Sequence, residues 1–141
     1  MKFTILTIDD EENIRNGLAD NFELEGYEVK QAASGKEGLQ LIEKGDIDLV
    51  ITDLRMDRIS GQEVVNQVTS KYPGLPIIVL TGHGSIEDAT SAIKMGAYDF
   101  LTKPLDLTHL NKIVKNALQG RELALQKTQL LKELNNFKTL D

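Results

Sequence analysis

Cysteine and tryptophan are missing from all 141 residues. Without thiols the chain can build no disulfide, no thiolate metal site and no cysteine nucleophile, and it suits a reducing compartment, the cytoplasm being the expectation. Histidine occurs only as His83 and His109, and His83 has neither a second histidine nor a ligand spacing near it. Aromatic residues are scarce at 5%, no basic stripe interleaves with them, and the net charge is -6, so this segment is not expected to touch nucleic acid. Long hydrophobic runs are absent too. Nothing approaches the roughly 20 apolar residues of a membrane span, and the opening MKFTIL is too short and too soon followed by acids for a secretory signal. No repeat or low-complexity stretch interrupts the chain.

What is present is an ordinary globular balance, 40% hydrophobic and 27% charged, over a length that suits one domain with a real core. Short apolar runs recur at Phe3–Ile8, Tyr27–Ala32, Asp48–Thr52, Pro76–Leu80 and Tyr98–Leu101, each followed by a stretch with helical spacing. That alternation predicts five βα units. DLVIT and PIIVL are almost continuously apolar, the pattern of strands covered by helices on both faces of a parallel sheet. Ser34 with Glu37, Ser60 with Glu63 and Ser85 with Asp88 mark helix starts, because a cap hydroxyl stands three residues before an acid. Gly26 and Gly96 mark helix ends.

This layout gives an address to the acids of TIDDEENIR. In an open parallel sheet the ligand crevice lies beyond the carboxyl ends of the strands. Asp9 and Asp10 stand at the end of strand one, Asp53 of strand three, Thr81 of strand four and Lys103 of strand five. All five converge on one end of the sheet. Three carboxylates gathered there repel one another, which calls for a cation, and an all-oxygen set points to a hard ion such as Mg²⁺. Taken singly these residues are unremarkable: acids at Asp9–Glu12 ordinarily favour a helix dipole, and Glu11 and Glu12 are read as such. The joint placement is what carries weight.

Asp9-Asp10, Asp53 in ITDLRM, Thr81 in LTGHG and Lys103-Pro104 in DFLTKP together resemble the receiver domain of two-component response regulators, over about residues 1–120. TGHGSIEDATSAIKMGAYDFLTKPLD further resembles the receivers of NtrC-type enhancer-binding activators. The resemblance implies a flavodoxin-like α/β fold, doubly wound, with a five-stranded parallel sheet in the order 2-1-3-4-5 and helices on both faces. It implies that Asp53 accepts a phosphoryl group from a sensor histidine kinase, and that Mg²⁺ is held by Asp9, Asp10, Asp53 and the Arg55 backbone carbonyl. By the same resemblance, Lys103 and Thr81 would contact the phosphoryl oxygens, and Phe100 would turn inward as Thr81 moves. It implies a switch that controls an output domain or partner in transcription, and not an enzyme turning over an external substrate. The alternative is a stand-alone receiver, or an interaction module indifferent to phosphorylation.

The family usually has proline four residues after the phosphoacceptor and glycine eight after. Gly61 is present, but Asp57 takes the proline position, which frees the loop and adds charge beside the metal. Rival chemistries fail on particular residues. A haloacid-dehalogenase-like phosphatase needs an acid where Arg55 stands, a flavodoxin-type phosphate site would be repelled by Asp9 and Asp10, and no complete P-loop occurs. Beyond the domain, residues 121–141 are expected to form a helical extension or linker, one that could join the receiver to an output domain outside this chain. There Leu123, Leu130 and Phe137 recur every seven residues, with Leu134 between them and Lys127 at the matching position. The expectation is a fifth helix, capped by Asp106, that packs through Leu110, Ile113, Val114, Ala117 and Leu118, runs on past Gly120 and pairs with a second copy.

Overall fold

Five strands and five helices alternate along the chain in a computed structural model that describes residues 2–55, 61–82 and 86–139, with side chains through residue 136. They are β1 (Thr4–Ile8), α1 (Glu12–Leu24), β2 (Glu28–Ala32), α2 (Gly35–Lys44), β3 (Leu49–Asp53), α3 (Gly61–Lys71), β4 (Ile77–Thr81), α4 (Ile86–Lys94), β5 (Asp99–Thr102) and α5 (Leu107–Thr139). The strands pair in parallel in the order β2-β1-β3-β4-β5, as expected. No helix among the described residues is long and apolar enough to cross a membrane.

Hydropathy assigns the places in the sheet. Every residue of β1, β3 and β4 is buried, and these are the three central strands. The edge strand β2, EVKQA, keeps Glu28 and Lys30 within reach of solvent, which discourages pairing with another chain. Alternation along the central strands divides the core in two. Leu6, Ile8, Val50, Ile77 and Val79 face Ile42 of α2, Val64, Val65 and Val68 of α3 and Ala92 of α4. Ile5, Leu49, Ile51, Ile78 and Leu80 face Leu18 and Phe22 of α1 and Leu110, Val114 and Leu118 of α5. Across the second face the amides of Asn21 and Asn111 bond reciprocally at 2.8 and 3.2 Å, which fixes α5 against α1.

Observed strands begin one residue later than the apolar runs, and β3, β4 and β5 also end one residue later. Pairing continues through polar Asp53, Thr81 and Thr102, which hydropathy cannot register as strand. Ser34 caps α2, accepting from the Glu37 N–H at 3.2 Å, while the Glu37 carboxylate reaches back to the Ala33 N–H instead of that of Ser34. The Asp106 carboxylate accepts from the His109 N–H and caps α5. Ser60, Ser85, Met56, Asp57 and His83 lie outside the described residues. Gly96 ends the α4 turn at φ 113°, where a β-carbon would also stand 2.9 Å from the Thr69 methyl, so two independent constraints require glycine. Leu110, Ile113, Val114, Ala117 and Leu118 are buried on one face of α5, and the helix continues unbroken past Gly120.

Candidate functional site

β1 and β3 are neighbours, so their ends bring together residues more than forty positions apart. Asp53 is the last residue of β3, and Asp9 follows β1 directly; both are buried. Asp10 is exposed at the head of the α1 approach. One carboxylate oxygen each from Asp9, Asp10 and Asp53 fall within 4.8 Å of one another. From the turn after β5, Lys103 places Nζ 3.3 Å from Asp9 Oδ2 and 3.4 Å from Asp53 Oδ2. One ammonium thus faces two of the three clustered acids. The donors are hard, one is open to solvent, and the surplus is negative, a set that fits a hydrated divalent ion of the Mg²⁺ type.

Electrostatics follow from that crowding. Burial pushes the Asp53 carboxyl above the usual carboxylate range; Lys103 pulls it back, Asp9 adds to the rise, and the Arg55 N–H, 3.3 Å from Asp53 Oδ1, opposes it. Burial works against the Lys103 ammonium, but Asp53 and Asp9 outweigh it and hold its proton more firmly than in free lysine.

Thr81 ends β4 opposite Thr102 and is buried, not the surface residue its type implies. Its hydroxyl donates to the Leu101 carbonyl at 3.4 Å, so in this state it is engaged with the β5 backbone. Phe100 pairs with Val79, is half-buried and packs against the first core cluster. The Arg55 guanidinium turns outward to Asp88 of α4, 3.8 Å away, leaving its backbone beside Asp53.

Two residues acquire a reason that spacing alone could not supply. A β-carbon on Gly61 would lie 2.2 Å from the Asp53 carbonyl oxygen and 2.5 Å from the Leu54 Cα, so only glycine lets α3 start against the end of β3. Arg15, one helical turn into α1, donates through Nη1 to the Asp9 carbonyl at 2.6 Å. Sequence reading passed over it, because an arginine in an exposed helical stretch is commonplace; its spacing of six from Asp9 is the only signal there was.

Residues 5–115 match the family model described as the response regulator receiver domain. Over 115 residues the chain is 41% identical to the transcriptional regulatory protein GlrR of Escherichia coli (strain K12), covering 82% of this chain and 26% of that protein. Its fold superposes on a response regulator receiver domain protein from Clostridium thermocellum with a TM-score of 0.83 at 35% identity, over 86% of this chain and 98% of that one. NtrX from Brucella abortus aligns with a TM-score of 0.84 at 33% identity, over 92% of this chain and 30% of that one. The chain therefore spans about a quarter of the length of GlrR and under a third of that of NtrX. A match that runs from β1 into α5 takes in the whole sheet and both core faces, and on that ground the chain belongs to the receiver domains of two-component response regulators, among relatives of the NtrC type.

Proposed function

We propose that this domain accepts a phosphoryl group on Asp53 from a phosphohistidine of a sensor histidine kinase. The observation that supports it is Lys103 Nζ standing within 3.4 Å of both Asp9 and Asp53, beside a third acid, at the carboxyl end of the sheet. In the transfer an Asp53 carboxylate oxygen forms the new O–P bond as the donor's N–P bond breaks, and that electron pair stays on the imidazole nitrogen. The Lys103 ammonium shifts from the carboxylates to the phosphoryl oxygens, where a charge-assisted contact is strong. The Thr81 hydroxyl exchanges the Leu101 carbonyl for another phosphoryl oxygen. Its departure opens space on the side of β4 and β5 into which Phe100 turns, and that coupling is the switch. Asp9, Asp10 and Asp53, with the Arg55 carbonyl, would hold Mg²⁺, which when bound shields the anionic nucleophile from the incoming anion.

Residues 1–120 serve as the receiver and 121–141 as the helical extension that carries its state to an output, here control of transcription, and to a second copy of the chain. The domain acts in the cytoplasm as a regulator that modifies itself and turns over no external substrate. Intact-mass spectrometry with Mg²⁺ and a small phosphodonor should show one added phosphoryl group, absent in Asp53→Asn; undiminished labelling of that variant overturns the assignment. Asp10→Ala should weaken Mg²⁺ binding strongly and Glu12→Ala hardly at all, whereas equal titration curves would remove Asp10 from the site.

A further inference from the structure

Asp9 is held at every polar group it has. Its N–H donates to the Ala32 carbonyl of β2 at 3.1 Å, Oδ1 accepts from the Glu11 N–H at 2.9 Å, Oδ2 faces Lys103 at 3.3 Å, and its carbonyl accepts from Arg15 at 2.6 Å. Three of these are made by the β2 strand, the turn after β1 and Lys103. The fourth is made by a side chain with no part in the chemistry described above.

That carbonyl lies outside the helix. The first backbone bond of α1 runs from the Arg15 N–H to the Glu11 carbonyl, so the helical ladder begins two residues too late to engage Asp9. The Arg15 side chain folds back toward the helix N-terminus, the direction helical side chains take, and supplies the missing donor as a half-buried, charge-assisted hydrogen bond. The peptide plane it grips joins Asp9 to Asp10. Holding that plane fixes ψ of Asp9 and φ of Asp10, and an independent change in either torsion would swing the exposed Asp10 relative to the fixed Asp9 and Asp53.

We propose that Arg15 is a positioning residue for the divalent-ion site: it locks the Asp9–Asp10 peptide plane, so that Asp10 enters the site already oriented. The proposal rests on the reading of Asp9 and Asp10 as Mg²⁺ ligands. Arg15 also carries a positive charge near the acids, which acting alone would oppose a cation. Its bond is to the main chain and its guanidinium is partly solvated, so orientation is the larger effect.

Arg15→Met and Arg15→Lys separate the two effects in the full chain. Calorimetric Mg²⁺ titration should show affinity falling about tenfold in Arg15→Met, the lower end for residues that orient a ligand, with substantial recovery in Arg15→Lys. In the metal-free protein the Glu11 amide, which bonds Asp9 Oδ1, should exchange faster in Arg15→Met, while amides of β1 keep their protection. Wild-type affinity in Arg15→Met, or tighter binding as loss of a charge alone would produce, overturns the proposal. So does a fall in melting temperature with no change in Mg²⁺ affinity, the mark of a merely structural arginine. If the unmodified protein itself binds no Mg²⁺, the site reading fails and this proposal with it, a result distinguishable from an unaffected variant.

Discussion

Single side chains in this domain carry costs that are visible once their surroundings are known. The Thr7 hydroxyl is fully buried on β1 and has no hydrogen-bond partner among the described residues. It follows Ile5 by two positions and so shares the strand face that meets α1 and α5. Valine has the same shape without the polar atom, so Thr7→Val should raise stability by about 1 kcal/mol, measured as a higher urea midpoint with an unchanged slope. Asp53 bears a larger tension, since burial holds its folded carboxyl above the unfolded value. Between those two values the folded state binds more protons than the unfolded one, so stability falls as pH rises through that window and stays lower above it. Asp53→Asn removes the cost. In chelator, the melting temperature of the variant should exceed that of the unmodified chain at neutral pH, and the gap should close on acidification toward the ordinary carboxylate value of about 3.9. A gap independent of pH would mean the effect is not one of charge.

Among the elements, α5 is the one whose length is unusual: its 33 residues span about 50 Å, and only its first third faces the sheet. Arg121 extends its grip. Nη1 donates to the Gly74 carbonyl before β4 at 3.2 Å, and Nε stands 3.7 Å from Asp48 Oδ1, an ion pair too long to be a hydrogen bond. Asp48 in turn accepts from the Thr4 N–H at 2.9 Å, so the helix is tied to the start of the sheet, the end opposite the acidic pocket. Arg121→Ala should cost about 1 kcal/mol and accelerate amide exchange after residue 121, while Val114 and Leu118 stay protected. Gly120 is different. No atom lies within 4 Å of a β-carbon built there, so Gly120→Ala should stabilise the helix by about 0.5–1 kcal/mol, read in the same denaturant titrations.

For the molecule as a whole, the question is what covers the tail. Leu123, Leu130, Leu131 and Leu134 are more than half exposed along the part of α5 that has left the sheet behind. Leu123 and Leu130 are seven residues apart and Leu134 follows at the next turn, the spacing of a short two-helix seam; Phe137, whose side chain lies outside the described residues, would continue it. The partner proposed above, a second copy, would bring a matching stripe. Light scattering should therefore show the full chain dimerising with rising concentration and a version ending at Gln119 remaining monomeric; identical monomer masses would take the tail out of assembly. With Lys127 in the seam and only about two heptads, the association should be weak.

Periodicity and order along the chain were enough to read the five βα units, the burial of β3 and β4, and the end of the sheet to which Asp9, Asp10, Asp53, Thr81 and Lys103 are brought, because hydrophobic spacing reports local geometry and a parallel sheet sends every strand's carboxyl end the same way. Helix caps at Ser34 and Asp106 were legible for the same local reason. Contacts across the sheet were not. Lys103 reaches residues 94 and 50 positions away, and the tightness of Gly61 against Asp53 depends on an approach of a few ångströms. The Thr81 hydroxyl looks like a free surface group in sequence but is buried against β5, and Arg15 and Arg121 look like solvated helix charges until the backbone carbonyls they grip are brought to them. Patterns of residue type carry the period of an element. They do not carry distances between elements, and in this domain it is those distances that decide which side chains share a site.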